Sequence, residues 1–125
     1  MKKLPISECY WVEEGRLLAG EYPGSYNPET ARLRIDAFLE AGVNTFIDLT
    51  QSHELVHYEP VLREEARIYG TIISYQRHPI RDYGIPSANT MTDILNDIDE
   101  AINNGRCVYI HCWGGVGRTG LVVGC

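Results

Sequence analysis

Residues 107–120 read CVYIHCWGGVGRTG, a run of β-formers that ends in His111 and Cys112 and opens into a glycine-rich loop closed by Arg118 and Thr119. Gly114, Gly115 and Gly117 let the backbone turn with its N–H groups inward, and a helix starting near Arg118 would add the positive end of its dipole. Trp113, Gly114, Gly115, Val116 and Gly117 are therefore expected to bind phosphate through their backbone, as an anion cradle. Arg118 can present two parallel N–H donors to a phosphate, a geometry that lysine lacks. Amides, helix terminus and guanidinium all favour the thiolate of Cys112 over its thiol. The groups that hold a phosphate dianion thus also ready the nucleophile beneath it, and the chemistry is attack on a bound oxyanion. His111 is expected to fix the hydrogen bonds of the loop, and Thr119 to donate its hydroxyl to the sulfur as it leaves.

The order strand, His111-Cys112, five residues, Arg118-Thr119 resembles the signature of the cysteine-dependent protein tyrosine phosphatases, and the chain looks like their compact, bacterial-type dual-specificity branch. The resemblance implies a two-step reaction: the cysteine takes the phosphoryl group as a thiophosphate, and water then releases it, with no metal or other cofactor. It also implies a general acid on a loop upstream of the cysteine. The stretch His78-Pro79-Ile80-Arg81-Asp82-Tyr83-Gly84-Ile85-Pro86 supplies Asp82, thirty positions before Cys112. Tyr10-Trp11-Val12 together with Arg16 to Gly24 is similar to the opening hairpin of bacterial members, so the likeness covers most of the chain. Family members that act on phosphoinositides tend to carry lysines inside the loop, and residues 113–117 are all neutral. The implied substrate is a phosphorylated protein or an aryl phosphate, phosphotyrosine with phosphoserine and phosphothreonine beside it.

These residues need a scaffold, and the pattern along the chain describes one. Tyr10–Val12 and Arg16–Ala19 flank a turn and read as a hairpin. Asn27-Pro28 is a cap followed by proline at the first helical position, for a helix reaching about Ala41 and stopped by Gly42. Thr45–Leu49 reads as a buried strand, Glu59–Tyr69 as a helix ended by Gly70, and Thr71–Tyr75 as a further strand. Ser87 caps a third helix whose apolar positions Met91, Ile94, Leu95, Ile98 and Ile102 keep helical spacing. Its acidic stripe, Asp93, Asp97, Asp99 and Glu100, is read as a solvated face. Cys107–His111 is a nearly all-apolar strand of the kind buried on both sides. Strands alternating with helices indicate an α/β fold, a mostly parallel central sheet flanked by helices, with ligands bound beyond the carboxyl ends of its strands.

The whole composition narrows the partners. The chain has 125 residues, 44% hydrophobic and 22% charged, which suits a single domain, residues 1–125. A net charge of -6 argues against nucleic acid and anionic membranes as partners, since both need a positive footprint. No signal peptide or long apolar run is present, so a cytoplasmic location is expected. The four cysteines Cys9, Cys107, Cys112 and Cys125 show neither a C-x-x-C nor a zinc spacing, and Cys107 is read as a buried strand residue. Asp48 and Thr50 are given a structural hydrogen-bonding role at the end of a strand. Arg77, His78 and Arg81 are either ordinary surface charges or a basic rim beside Asp82.

One departure from the family pattern stands out. The chain ends at Cys125, seven residues after Arg118, whereas the family continues this helix into the core and adds further helices. A truncated domain is expected, its C-terminal helices missing and the uncovered sheet face prone to association. Two other readings stay open: a phosphate-binding or interaction fragment that turns over poorly, and a rhodanese-like or arsenate-reducing protein with Cys125 as resolving thiol. Asp82 speaks against sulfur transfer, which would not need it.

Overall fold

A computed structural model of the chain describes residues 4–81, 85–114 and 117–124. Five strands form one sheet in the order β1-β2-β5-β3-β4: β1 Cys9–Glu13, β2 Leu17–Gly20, β3 Thr45–Asp48, β4 Ser74–Arg77 and β5 Val108–His111. Only the β1–β2 pair is antiparallel; β2, β5, β3 and β4 run parallel. The helices are α1 Pro28–Glu40, α2 Glu59–Tyr69, α3 Ala88–Asn103 and α4 Gly117–Val123. This is the mostly parallel α/β sheet that the alternation of elements implies.

Local chemistry explains the boundaries. Asn27 adopts an extended conformation and accepts a hydrogen bond from the Thr30 N–H at 3.0 Å, with Pro28 at the first helical position. Ser87 caps α3 in the same way, accepting from the Thr90 N–H at 3.1 Å. Gly70 ends α2 at φ 70°, in the left-handed region that glycine enters without a steric cost. The strand expected over Thr71–Tyr75 begins instead at Ser74. Thr71 still donates back to Ala66 to close the helix, and Ile72 is exposed. Register with β3 starts where Ser74 faces Thr45.

Side chains alternate across the sheet and divide the core in two. Tyr109 on β5, Phe46 on β3 and Leu18 on β2 pack with Ile35, Phe38, Tyr58 and Leu62 beneath α1 and α2. Val108, Ile110, Ile47 and Ala19 pack on the opposite face with Ile94, Ile98 and Val122 of α3 and α4. The alternation continues past the end of β5. His111 lies among the aromatic rings of the α1–α2 face, and Cys112 joins the aliphatic cluster of the α3–α4 face. The histidine and the cysteine therefore sit on opposite sides of the sheet edge.

Candidate active site

In register, Gly20, His111, Asp48 and Arg77 form one row across the carboxyl edge of the parallel strands. The loops beyond that row carry the residues expected from the sequence to do the chemistry. Cys112 follows β5 directly and is buried, 2% exposed, whereas Trp113 and Gly114 are exposed. Gly117 opens α4, and Arg118 and Thr119 in its first turn are buried. Gly115, Val116 and Asp82 lie outside the described residues. A Cβ on Gly114 or Gly117 would meet no protein atom within 4 Å among the described residues.

Arg118 is 3% exposed and needs a counter-charge. It finds one in Glu54, a residue with no signal in the sequence: Nη1 donates to Oε1 at 2.6 Å and Nη2 to Oε2 at 3.0 Å. Nη1 also donates to the Ile80 carbonyl at 2.9 Å, on the segment leading to Asp82. The guanidinium plane is thereby fixed against two loops at once. Burial works to raise the Glu54 carboxyl, but the hydrogen bonds from Arg118 and from the Gln51 N–H outweigh it and hold the group below the usual carboxylate range.

His111 is fully buried, and burial pushes its pKa down against the pull of Asp48. Its Nδ1 lies 3.2 Å from the Cys112 carbonyl, which can only accept, so Nδ1 carries the proton. Nε2 of the neutral ring then accepts from the Tyr58 hydroxyl at 2.6 Å. Tyr58 is a second residue that sequence reasoning missed. Behind it, Asp48 accepts from the Thr50 N–H at 2.9 Å, the Thr50 hydroxyl at 2.6 Å and the Tyr75 hydroxyl at 2.6 Å. Burial would raise Asp48; the nearby imidazole and these donors turn the balance and keep it below its ordinary value. Asp48 and Thr50 thus hold the structural role expected of them. Arg77 joins this network through the Thr50 carbonyl at 3.0 Å and the Tyr75 hydroxyl at 3.1 Å. It is an internal strut, while His78 contacts Asp97 of α3 at 2.5 Å.

Thr119 is fully buried and its hydroxyl has no hydrogen-bond partner among the described residues. Such a donor is costly to bury unless something accepts from it, and Cys112 Sγ does not do so in this structure. Among the described residues no three His, Cys, Asp or Glu side chains are grouped to hold a metal ion, and no helix is long and apolar enough to cross a membrane.

Residues 21–125 match the family described as "Polymorphic toxin system, DSP-PTPase phosphatase". The chain belongs to this family of cysteine-dependent phosphatases. Its relatives include cyclin-dependent kinase inhibitor 3 of Sus scrofa, 32% identical over 82 residues, an alignment covering 66% of this chain and 38% of that protein. The chain thus spans well under half of that relative. Among solved structures, Tk-PTP in its active form superposes with a TM-score of 0.73 at 24% identity, covering 93% of this chain and 69% of that one. Kinase associated phosphatase, in a form whose catalytic-site cysteine is replaced by serine, gives a TM-score of 0.69 at 25% identity, covering 85% and 61%. The fold of this phosphatase domain is that of the protein tyrosine and dual-specificity phosphatases.

Proposed function

We propose that the chain hydrolyses phosphotyrosine, and with it phosphoserine and phosphothreonine, in proteins through a cysteinyl-phosphate intermediate and without metal. The observation that carries this reading is the buried Cys112 at the carboxyl end of β5, with Arg118 locked by Glu54 and Ile80 six positions later. Arg118 holds the phosphate oxygens while Cys112 Sγ attacks phosphorus. The S–P bond forms as the P–O bond to the tyrosine breaks, and Asp82 protonates the departing oxygen. In the second step water attacks phosphorus, the S–P bond breaks and Asp82 takes the water proton. Thr119 donates to the sulfur as it departs. His111, by donating to the Cys112 carbonyl, fixes the backbone from which the nucleophile projects.

Hydrolysis of p-nitrophenyl phosphate in the presence of a chelator, by the unaltered chain and by Cys112→Ser and Asp82→Asn, tests the scheme. Turnover that disappears with the sulfur and falls by about 100-fold or more without the Asp82 carboxyl is expected. Retained turnover in Cys112→Ser overturns the covalent route. Folded protein that binds phosphate but turns over no ester identifies a binding fragment instead.

A further inference from the structure

Cys112 is buried, but the residue after it is not: Trp113 is 57% exposed. Its carbonyl accepts from the Tyr22 N–H at 3.0 Å, and the Tyr22 hydroxyl donates to the carbonyl of Val56. One residue, through its backbone N–H and its hydroxyl, therefore draws together the loops that follow β2, β3 and β5. Each of these loops leaves a large apolar side chain in water: Tyr26 at 73%, Val56 at 44% and Trp113. The first loop is held from below by Arg34 of α1, which donates to the Tyr22 carbonyl at 2.9 Å and the Pro23 carbonyl at 3.3 Å. Fixed positive charge is absent from the first two of these loops. Neither 21–27 nor 51–58 contains a lysine or arginine, Glu21 is paired with Arg34, and Glu54 with Arg118.

Trp113 directly follows the proposed nucleophile, and neighbouring Cα atoms lie only about 3.8 Å apart. We propose that Trp113, Tyr26 and Val56 form an apolar brim that receives an apolar or aromatic residue flanking the phosphotyrosine of a peptide substrate. Apolar-flanked sites are then selected over acid-flanked ones. The proposal rests on the reading of the chain as a protein phosphatase and adds the sequence context it takes. An apolar neighbour covers exposed ring surface, whereas an acidic one finds no fixed cation in the two loops to offset its desolvation.

The test is kcat/KM on two phosphotyrosine peptides that differ only in the residues beside the phosphotyrosine, leucine and phenylalanine in one and aspartate and glutamate in the other. Turnover of p-nitrophenyl phosphate is measured alongside. The unaltered chain is expected to favour the apolar peptide by about 3- to 10-fold, the scale of an aromatic contact. In Tyr26→Ser and Trp113→Ala this ratio should fall toward one, and because it is internal to each variant a general loss of activity does not affect it. Equal rates on both peptides, a preference for the acidic one, or faster hydrolysis of a phosphoinositide in vesicles overturns the brim. If not even p-nitrophenyl phosphate is hydrolysed, the catalytic reading fails. Calorimetric binding of the same peptides then decides: tighter binding of the apolar peptide upholds the brim, and equal binding removes it.

Discussion

The guanidinium of Arg118 is the charge to which the proposed scheme assigns phosphate recognition, and the structure gives it a buried partner in Glu54. A buried cation left without its counter-ion costs about 3–5 kcal/mol, because nothing replaces the water it has lost. Glu54 is itself only 10% exposed at its side chain, so the pair is largely shielded from solvent. Glu54→Ala should therefore lower the unfolding free energy by about 3–5 kcal/mol in chemical denaturation. Glu54→Gln, which keeps one acceptor oxygen, should fold better. It should still lose aryl phosphate turnover through a raised KM, since the fork is no longer aimed. An unchanged midpoint in Glu54→Ala would show that Arg118 reaches water in the folded chain. The sequence reveals Arg118 because it stands in one contiguous motif with Cys112. Glu54 is 64 positions away in a loop without pattern, and Tyr58 is 53 positions from the His111 it donates to. Such partners become visible only when the sheet brings the ends of β3 and β5 side by side.

Among the elements, the seam between α1 and α2 carries an unusual pair. Glu65 of α2 is buried, and Asp36 of α1 has a buried oxygen without a donor among the described residues. A hydrogen bond to Asp36 and then burial favour the protonated form of Glu65, so its pKa is raised, with Arg32 working weakly against this. A carboxyl whose folded pKa is raised stabilises the fold below its unfolded value, and that contribution is lost as pH rises through the folded one. Glu65→Gln keeps an N–H donor for Asp36 at every pH. The difference in Tm between Glu65→Gln and the unaltered chain should be near zero at about pH 4 and grow in favour of the variant towards about pH 8. A difference independent of pH would mean that the two carboxyls do not share a proton. Nothing in the sequence signals this pairing, since each residue reads as an ordinary polar position on its own helix. The caps at Asn27 and Ser87 and the stop at Gly70 are legible to the residue because their chemistry is local. The start of β4 is not, because the β-propensity of Thr71-Ile72-Ile73 yields to a register set by Asn44 and Thr45 across the sheet.

For the molecule as a whole, the core and the site share His111. Its ring stacks on Tyr109 at 5.6 Å and packs against Tyr58 at 5.2 Å, inside the aromatic half of the core, while its Nδ1 holds the carbonyl of Cys112. Burial lowers its pKa, so the unfolded chain takes up this proton more readily than the folded one. Stability from His111 is therefore complete above the unfolded value of about 6.5 and is lost as pH falls through and below it. Asp48 and Glu54, both held below their ordinary values, lose their contributions at still lower pH, so these three groups act in the same direction and Glu65 opposes them. The urea midpoint should thus decline between about pH 7 and pH 5, before most carboxylates titrate. A proton on Nε2 also turns that atom from acceptor to donor, so the Tyr58 hydroxyl has to reverse its role and accept. The catalytic scheme requires Asp82 protonated for the first step and so favours the acid side, against a fold that weakens there. Turnover and the near-ultraviolet signal of the buried tyrosines, followed together over that pH range, should fall off on the acid side at the same pH. A midpoint that stays flat from about pH 7 to pH 5 would show that His111 is not held neutral, and the acid limit of activity would then have to lie in the loop chemistry alone.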